Sequence, residues 1–356
     1  MSSNAFLADP RRRNLAILAA IALLSVLLAI LALHEQAEEG APKYVQTEFF
    51  PGLAARVHQA AHIRIVSKKD GAFDVVFKPS KGWVLPGKND YPASFSEVNK
   101  TLVGLAVLET IEPRTARADW LHYIGLDAPQ QGGDGTEITV SDEQGHVLAS
   151  LIAGKSEDIG DSSGAVGLFV RRPGETQSWL VRAEFEPHGS RNDWLDKDVV
   201  DIDRARIQET VVDPNNGPSY QVLRDKPSDP DFKLAVVPAG REIANEAAPD
   251  GVAVALTGLS FDDVRPAKEI DFTGAFRTVT KTFDGLSVTV DVMHLGQDYW
   301  AQFGAMSLFA NPAVGKQARD INARVNGWAY KLPDYKGAQF MTPLESLLKP
   351  KATPAK

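Results

Sequence analysis

Residues 14–33 read NLAILAAIALLSVLLAILAL, a run in which Ser25 is the only polar residue after Asn14. A helix of that length spans roughly 30 Å at ~1.5 Å per residue, the thickness of a hydrocarbon core, and it satisfies its own backbone hydrogen bonds in lipid. Arg11, Arg12 and Arg13 precede the run, and Glu35, Glu38 and Glu39 follow it. The basic flank marks the cytoplasmic side, so the expectation is one transmembrane helix with the N-terminus inside and the bulk of the chain exported. A cleaved signal peptide has an apolar core of ~7–15 residues ending in a small-x-small site. This run is longer, and neither Ala29-Ile30-Leu31 nor Ala32-Leu33-His34 meets that rule. Residues 1–34 are therefore read as a cytoplasmic tail and an uncleaved anchor.

The chain contains no cysteine, which excludes a lipoprotein anchor, disulfides and thiolate metal sites. Such an exported domain relies on its hydrophobic core, and a chain of this length can build one or two. Without residues 1–34 the chain keeps 35 basic and 45 acidic residues, a net charge of −10. That balance argues against nucleic acid and against docking on anionic headgroups.

Residues 35–60 read as a stalk and lead-in, polar and interrupted by Pro42 and Pro51. Apolar alternation in His62-Ile63-Arg64-Ile65-Val66 and in Ala72-Phe73-Asp74-Val75-Val76-Phe77, about Lys69-Asp70-Gly71, predicts a hairpin. Ser94 with Glu97 forms a capping box. Val98, Leu102, Leu105 and Leu108 continue at helical spacing until Glu112-Pro113. Two more hairpins follow, about Asp142-Glu143-Gln144-Gly145 and about Pro173-Gly174. The second half repeats this order: strands at 207–212 and 219–224, a helix near 251–259 capped by Asp250, and a hairpin about Asp284-Gly285. A strand with Tyr299, Trp300 and Phe303 comes next, and a closing strand with Trp328, Tyr330 and Leu332. The expected fold class is α+β. An N-terminal transmembrane helix leads into two loosely repeated modules of mainly antiparallel sheet with packed helices, at 61–200 and 201–347, and 348–356 form a disordered tail.

The anchor, the Trp83 to Pro86 step into a capped helix, the segment Tyr123-Ile124-Gly125-Leu126 with Pro129, and the terminal Gly327-Trp328-Ala329-Tyr330-Lys331-Leu332-Pro333 resemble a bacterial envelope family, domain of unknown function 4340. Members are often encoded beside an ABC-type transporter of the gliding-motility auxiliary kind. The resemblance implies a membrane protein partner, the subunits of such a transporter, and supplies no catalytic residues.

The motifs that could carry chemistry lack their context. Gly160-Asp161-Ser162-Ser163-Gly164 fits the nucleophile-elbow pattern, but the stretch after it reads as a strand where an elbow needs a helix. Gly154-Lys155-Ser156 resembles the end of a phosphate-binding loop, yet Ala149 replaces the first glycine and no helix follows. His58 and His62 have the spacing of two zinc ligands on a helix, but Gln59 stands where the general base belongs and His62 opens a strand. Asp196, Asp198, Asp201 and Asp203 alternate with Val199, Val200 and Ile202 and lack the glycine of a calcium loop. Trp83, Trp120, Trp179, Trp194, Trp300 and Trp328 are assigned to core packing, with an aromatic sugar platform as the alternative.

No residue is thus assigned a catalytic, cofactor-binding or metal-binding role, and no cofactor is expected. The expected function is non-catalytic: a protein on the outer side of the bacterial cytoplasmic membrane that binds a protein partner as an accessory of an ABC-type transport assembly. The alternatives are an envelope hydrolase acting on glycan or ester bonds and a polysaccharide- or lipid-binding module.

Overall fold

The computed structural model describes residues 25–26, 46–160, 162 and 164–350. Strand β1 (Ala60–Ser67) shows the pattern that builds most of it. Ala61, Ile63 and Ile65 are buried on one face, while His62 and Arg64 project from the other and share Asp74 at 3.0 Å.

The first sheet comprises β1, β2 (Gly71–Lys78), β3 (Gly82–Leu85), β4 (Tyr91–Pro92), β5 (Glu109–Pro113), β6 (Thr136–Asp142), β7 (Val147–Glu157), β8 (Val166–Arg171) and β9 (Ser178–Ala183). Helix α1 (Phe95–Ala106) lies between β4 and β5 in the chain. The second sheet comprises β10 (Ile207–Asp213), β11 (Tyr220–Leu223), β12 (Lys233–Leu234), β13 (Asp263–Pro266), β14 (Phe276–Thr282), β15 (Leu286–Leu295), β16 (Asp298–Ser307) and β17 (Trp328–Leu332). Its helices are α2 (Ala248–Ala253), α3 (Pro312–Val325) and α4 (Asp334–Phe340).

The strand orders are β4-β3-β2-β1-β6-β7-β8-β9-β5 and β12-β11-β10-β14-β15-β16-β17-β13. Apart from β4 they are one topology used twice. Around the first strand of each sheet the register agrees residue by residue: Ile63 faces Val75 and Val140 as Thr210 faces Val222 and Thr280. The first strand of each sheet bulges at the same step, at Ala61 and at Gln208.

The expected α+β class with packed helices is corrected by this architecture. Helical turns of all kinds make up 23% of the structure, which is mostly antiparallel sheet. Among the described residues no helix is long and apolar enough to cross a membrane. The expected transmembrane run at 14–33 lies outside the described residues except for Ser25 and Val26, which are helical.

Several boundaries also differ. The α1 helix starts as expected, with the Ser94 hydroxyl accepting from the Glu97 amide, but it stops at Ala106. Glu109–Pro113 is an edge strand on β9, where proline is tolerated. Residues 47–59 are no stalk: Phe49 and Leu53 are each 1% exposed, and the Phe49 amide donates to Leu108 O. Asp250 lies inside α2, whose N-cap position is Ala247 and has no side-chain cap, and its carboxylate accepts from the Phe232 amide and from Arg204. The expected tail begins in packed structure, with Leu348 buried and bridged to Ile243; residues 351–356 lie outside the described residues.

One apolar core runs through both sheets. At the junction near residue 195 Ala93 bridges to Leu195, Trp194 is fully buried, and the Tyr91 hydroxyl donates to Asp196 O. The Tyr91 ring meets Phe261, Trp328 and Tyr330 edge-on at 5.0 to 6.2 Å between centroids. Lys88 and Asp263 close an ion pair across the same junction.

Candidate functional site

The connection from β5 to β6 is much longer than its counterpart from β13 to β14, and it carries the most exposed aromatic cluster of the first module. Its central piece, Ala118–Ile124, is a 3-10 helix entered from Arg117. Side chains three apart eclipse in such a helix, so Arg117, Trp120 and Tyr123 stand in one row. Trp120 is 48% exposed and Tyr123 66%. The Arg117 guanidinium lies 4.7 Å from the Trp120 ring centre, and His122 packs on Tyr123 at 3.8 Å. The same guanidinium binds Asp119 at 2.8 and 3.2 Å and holds its carboxyl below the usual carboxylate range.

This row rests on a built foundation. Leu121 and Leu126 join Ile152, Phe169 and Leu180 in a small core of their own, on the face of the first sheet away from the main core. The buried Arg171 sends Nε to Leu126 O at 2.7 Å, and Lys155 Nζ donates to Tyr123 O at 2.9 Å. Strand β7 bulges between Ala153 and Ser156, and Gly154 there lets the 124–125 backbone approach so closely that a Cβ would sit 2.2 Å from Ile124 O. The exposed aromatics are therefore held by backbone that has little freedom to move.

A second cluster surrounds His188. Its ring nitrogens lie 3.8 Å from Glu97, 3.7 Å from Glu186 and 3.7 Å from Asp193. All three are beyond hydrogen-bonding distance, so none of these carboxylates orients the ring as a catalytic base is oriented. Burial raises the Glu97 carboxyl pKa. An open groove of about 380 Å³ runs past Glu97, Lys100, Gly164 and His188.

The family model described as Domain of unknown function (DUF4340) matches residues 83–274, more than half of the chain. The chain belongs to this family. No curated protein and no solved structure matches it. The part matched as DUF4340 includes the Arg117, Trp120 and Tyr123 row, the His188 cluster and the Ala93 to Leu195 bridge of the junction, but not Trp328 or Tyr330.

The motifs weighed in the sequence are dispersed. Ser162 is exposed on a turn that leads into β8. Lys155 belongs to β7 and is spent on Tyr123 O. His58 sits in a 3-10 turn and His62 in β1 paired with Asp74, so they share no helix face. Asp196 accepts from the Asp198 amide, Asp198 pairs with Arg324, Asp201 accepts from the Gly258 amide, and Asp203 caps a 3-10 turn. Among the described residues no group of three or more His, Asp or Glu could hold a metal ion. Trp194 and Trp300 are buried as expected, and Trp194 Nε1 donates to His188 O. Trp120 departs from the core assignment. Its signal in the DUF4340 sequence is the Arg117-x-x-Trp120-x-x-Tyr123 spacing, which becomes meaningful only once the segment is known to be a 3-10 helix.

Proposed function

We propose that this protein is a non-catalytic recognition module on the outer side of the bacterial cytoplasmic membrane, and that it binds the subunits of an ABC-type transport assembly. The location is supported by Arg11, Arg12 and Arg13 ahead of the apolar run at 14–33. The observation that carries the recognition reading is the exposed row Arg117, Trp120 and Tyr123. These three residue types dominate binding hot spots, and a fixed backbone beneath them lowers the ordering cost of association.

A photo-crosslinking residue in place of Tyr123, in cells, is expected to form adducts with a transport subunit. The same residue at Val147, exposed elsewhere on the sheet, is expected to form none. Trp120→Ala and Tyr123→Ala should each weaken partner capture by ~2 kcal/mol, about thirtyfold, with little change in Tm. Adducts only with glycan or lipid overturn the reading in favour of a ligand-binding module. Turnover of a glycan or ester by the purified protein, lost in Ser162→Ala, overturns it in favour of a hydrolase.

A further inference from the structure

The shared topology gives each position in one module a counterpart in the other. In the second module Arg224 continues the inward face of β11 after Tyr220 and Val222, and it is 4% exposed. Each of its five guanidinium hydrogens meets a backbone carbonyl. Nε donates to Ile207, one Nη to Arg204 and Ala205, and the other to Pro227 and Asp229, at 2.7 to 3.3 Å. The guanidinium carbon lies 4.8 Å from the centre of Phe232 and 5.5 Å from that of Phe283.

Register identifies what stands at these positions in the first module. Ile63 pairs with Val75 and Ile65 with Phe73, as Thr210 pairs with Val222 and Val212 with Tyr220, so Phe77 holds the place of Arg224. The turn Val57–Gln59 precedes β1 as Arg204–Arg206 precedes β10, and Ala60 stands for Ile207. Trp83 pairs with Phe77 and takes the place of Phe232. Asp142 pairs with Ala60 as Thr282 pairs with Ile207, which puts Glu143 in the place of Phe283.

In the first module this socket is open. A groove of about 470 Å³ runs between Val57, His58, Ala60, Phe77, Trp83 and Glu143. Phe77 lies on the inward face of β2 with Phe73 and Val75, yet it is 40% exposed. Its ring meets Trp83 edge-on at 5.7 Å and has no hydrogen to give a carbonyl.

We infer that this groove receives an arginine side chain from a partner protein, in the way the second module receives its own Arg224. The incoming guanidinium stacks on Trp83 and donates to the backbone carbonyls of the turn at 57–60. It pairs with Glu143, a carboxylate where the closed socket has a phenyl ring. A lysine fits less well, because a point charge with three donors cannot fork among several carbonyls. The inference deepens the recognition reading above and rests on it only for the source of the arginine.

The test is a titration of the ¹⁵N-labelled full-length protein with N-acetyl-argininamide, read at the Trp83 indole N–H resonance, which is assigned by its loss in Trp83→Phe. A saturable shift is expected, with N-acetyl-citrullinamide binding about tenfold more weakly because it lacks the charge. Phe77→Arg fills the socket from within; it should abolish the shift and raise Tm. If that variant does not fold, Glu143→Gln on the exposed β6–β7 turn must still weaken binding severalfold. Equal binding of the two amides, no shift at all, or undiminished binding by Glu143→Gln overturns the socket. A photo-crosslinking residue at position 77 should capture a protein in cells; capture of none, with amide binding intact, overturns the partner protein as the source. Trp120→Ala should leave the titration unchanged, so failure of the aromatic row and failure of the socket are read separately.

Discussion

Gly154→Ala tests whether the aromatic row owes its position to the close approach beneath it. The added Cβ would lie 2.2 Å from Ile124 O and 3.0 Å from the Gly125 carbonyl carbon and oxygen, all backbone atoms. A carbon and a carbonyl oxygen need more than 3 Å, so the segment must lift by about 1 Å, and overpacking of this kind costs ~1–3 kcal/mol. Lifting also stretches Arg171 Nε to Leu126 O at 2.7 Å and Lys155 Nζ to Tyr123 O at 2.9 Å. Hydrogen bonds from charged groups are worth ~1.5–3 kcal/mol each, so partial loss of two brings the total to ~2–4 kcal/mol. The damage should be local, because Leu121 and Leu126 pack in a small core separate from the main one. Urea unfolding should show the loss, and hydrogen exchange should speed at the Gly125 and Leu126 amides, which donate to His122 O and Leu121 O, but not in β1. Gly304→Ala is the control: a Cβ there meets nothing within 4 Å and should change stability by less than ~0.5 kcal/mol. If Gly154→Ala unfolds with the native protein and keeps slow exchange at Leu126, the close approach is not what positions the row.

Two further expectations concern one buried and one half-buried cation. Arg224→Lys replaces five forked donors with three and should destabilise by ~2–4 kcal/mol in urea unfolding with an unchanged m-value; a loss below ~1 kcal/mol contradicts the carbonyl socket. Lys197 sits at the junction with Nζ donating to Asn192 Oδ1 and to Phe261 O at 2.8 Å, and burial brings its pKa from 10.5 down to about 8. The folded state thus holds this proton less tightly than the unfolded chain, so the penalty is full below pH 8 and vanishes as pH rises from 8 to 10.5. Because the amine is partly exposed, screening reduces the gain to ~1–2 kcal/mol across that window. Lys197→Met should remove it, and equal slopes of stability against pH for the two proteins would contradict the assignment.

The hairpins were legible because apolar residues alternate on both sides of turn residues, as in Ile63 and Ile65 before Asp70-Gly71 and Val288 and Val290 after Asp284-Gly285. The start of α1 was legible from Ser94 and Glu97. Its end was not, because Leu108 keeps the helical spacing although the helix has ended at Ala106 and β5 begins at Glu109. Helix α3 went unread although Asn311-Pro312 caps it and Val314, Ala318, Ile321 and Val325 form its buried stripe. Strands of two to four residues such as β4, β12 and β13 are too short to show a period. The aromatic row was missed for a different reason: composition cannot distinguish an exposed Trp120 from a buried Trp194. Arg224 looks like any surface cation until pairing puts it on an inward face.

The duplicated topology also bears on what the family match can mean as a physical unit. Residues 83–274 include β3 to β13 but neither β1 and β2 nor β14 to β17. In the first sheet β1 and β2 lie between β3 and β6, so removing them leaves β3 and β4 unpaired with the remaining strands. In the second, β14 to β17 lie between β10 and β13, and their loss leaves β13 without a neighbour. The buried residues Ile63, Ile65, Val75, Val288, Val290 and Tyr330 go with the missing strands. Each removes ~1.5–3 kcal/mol of burial, so six of them remove roughly 9–18 kcal/mol, as much as the whole stability of an ordinary domain. A fragment of residues 83–274 should therefore show no cooperative thermal transition and poor amide dispersion, while the full chain shows both. A cooperative transition in the fragment would mean that the matched segment folds by itself, and that the first and last strands are additions to a core which lies wholly within it.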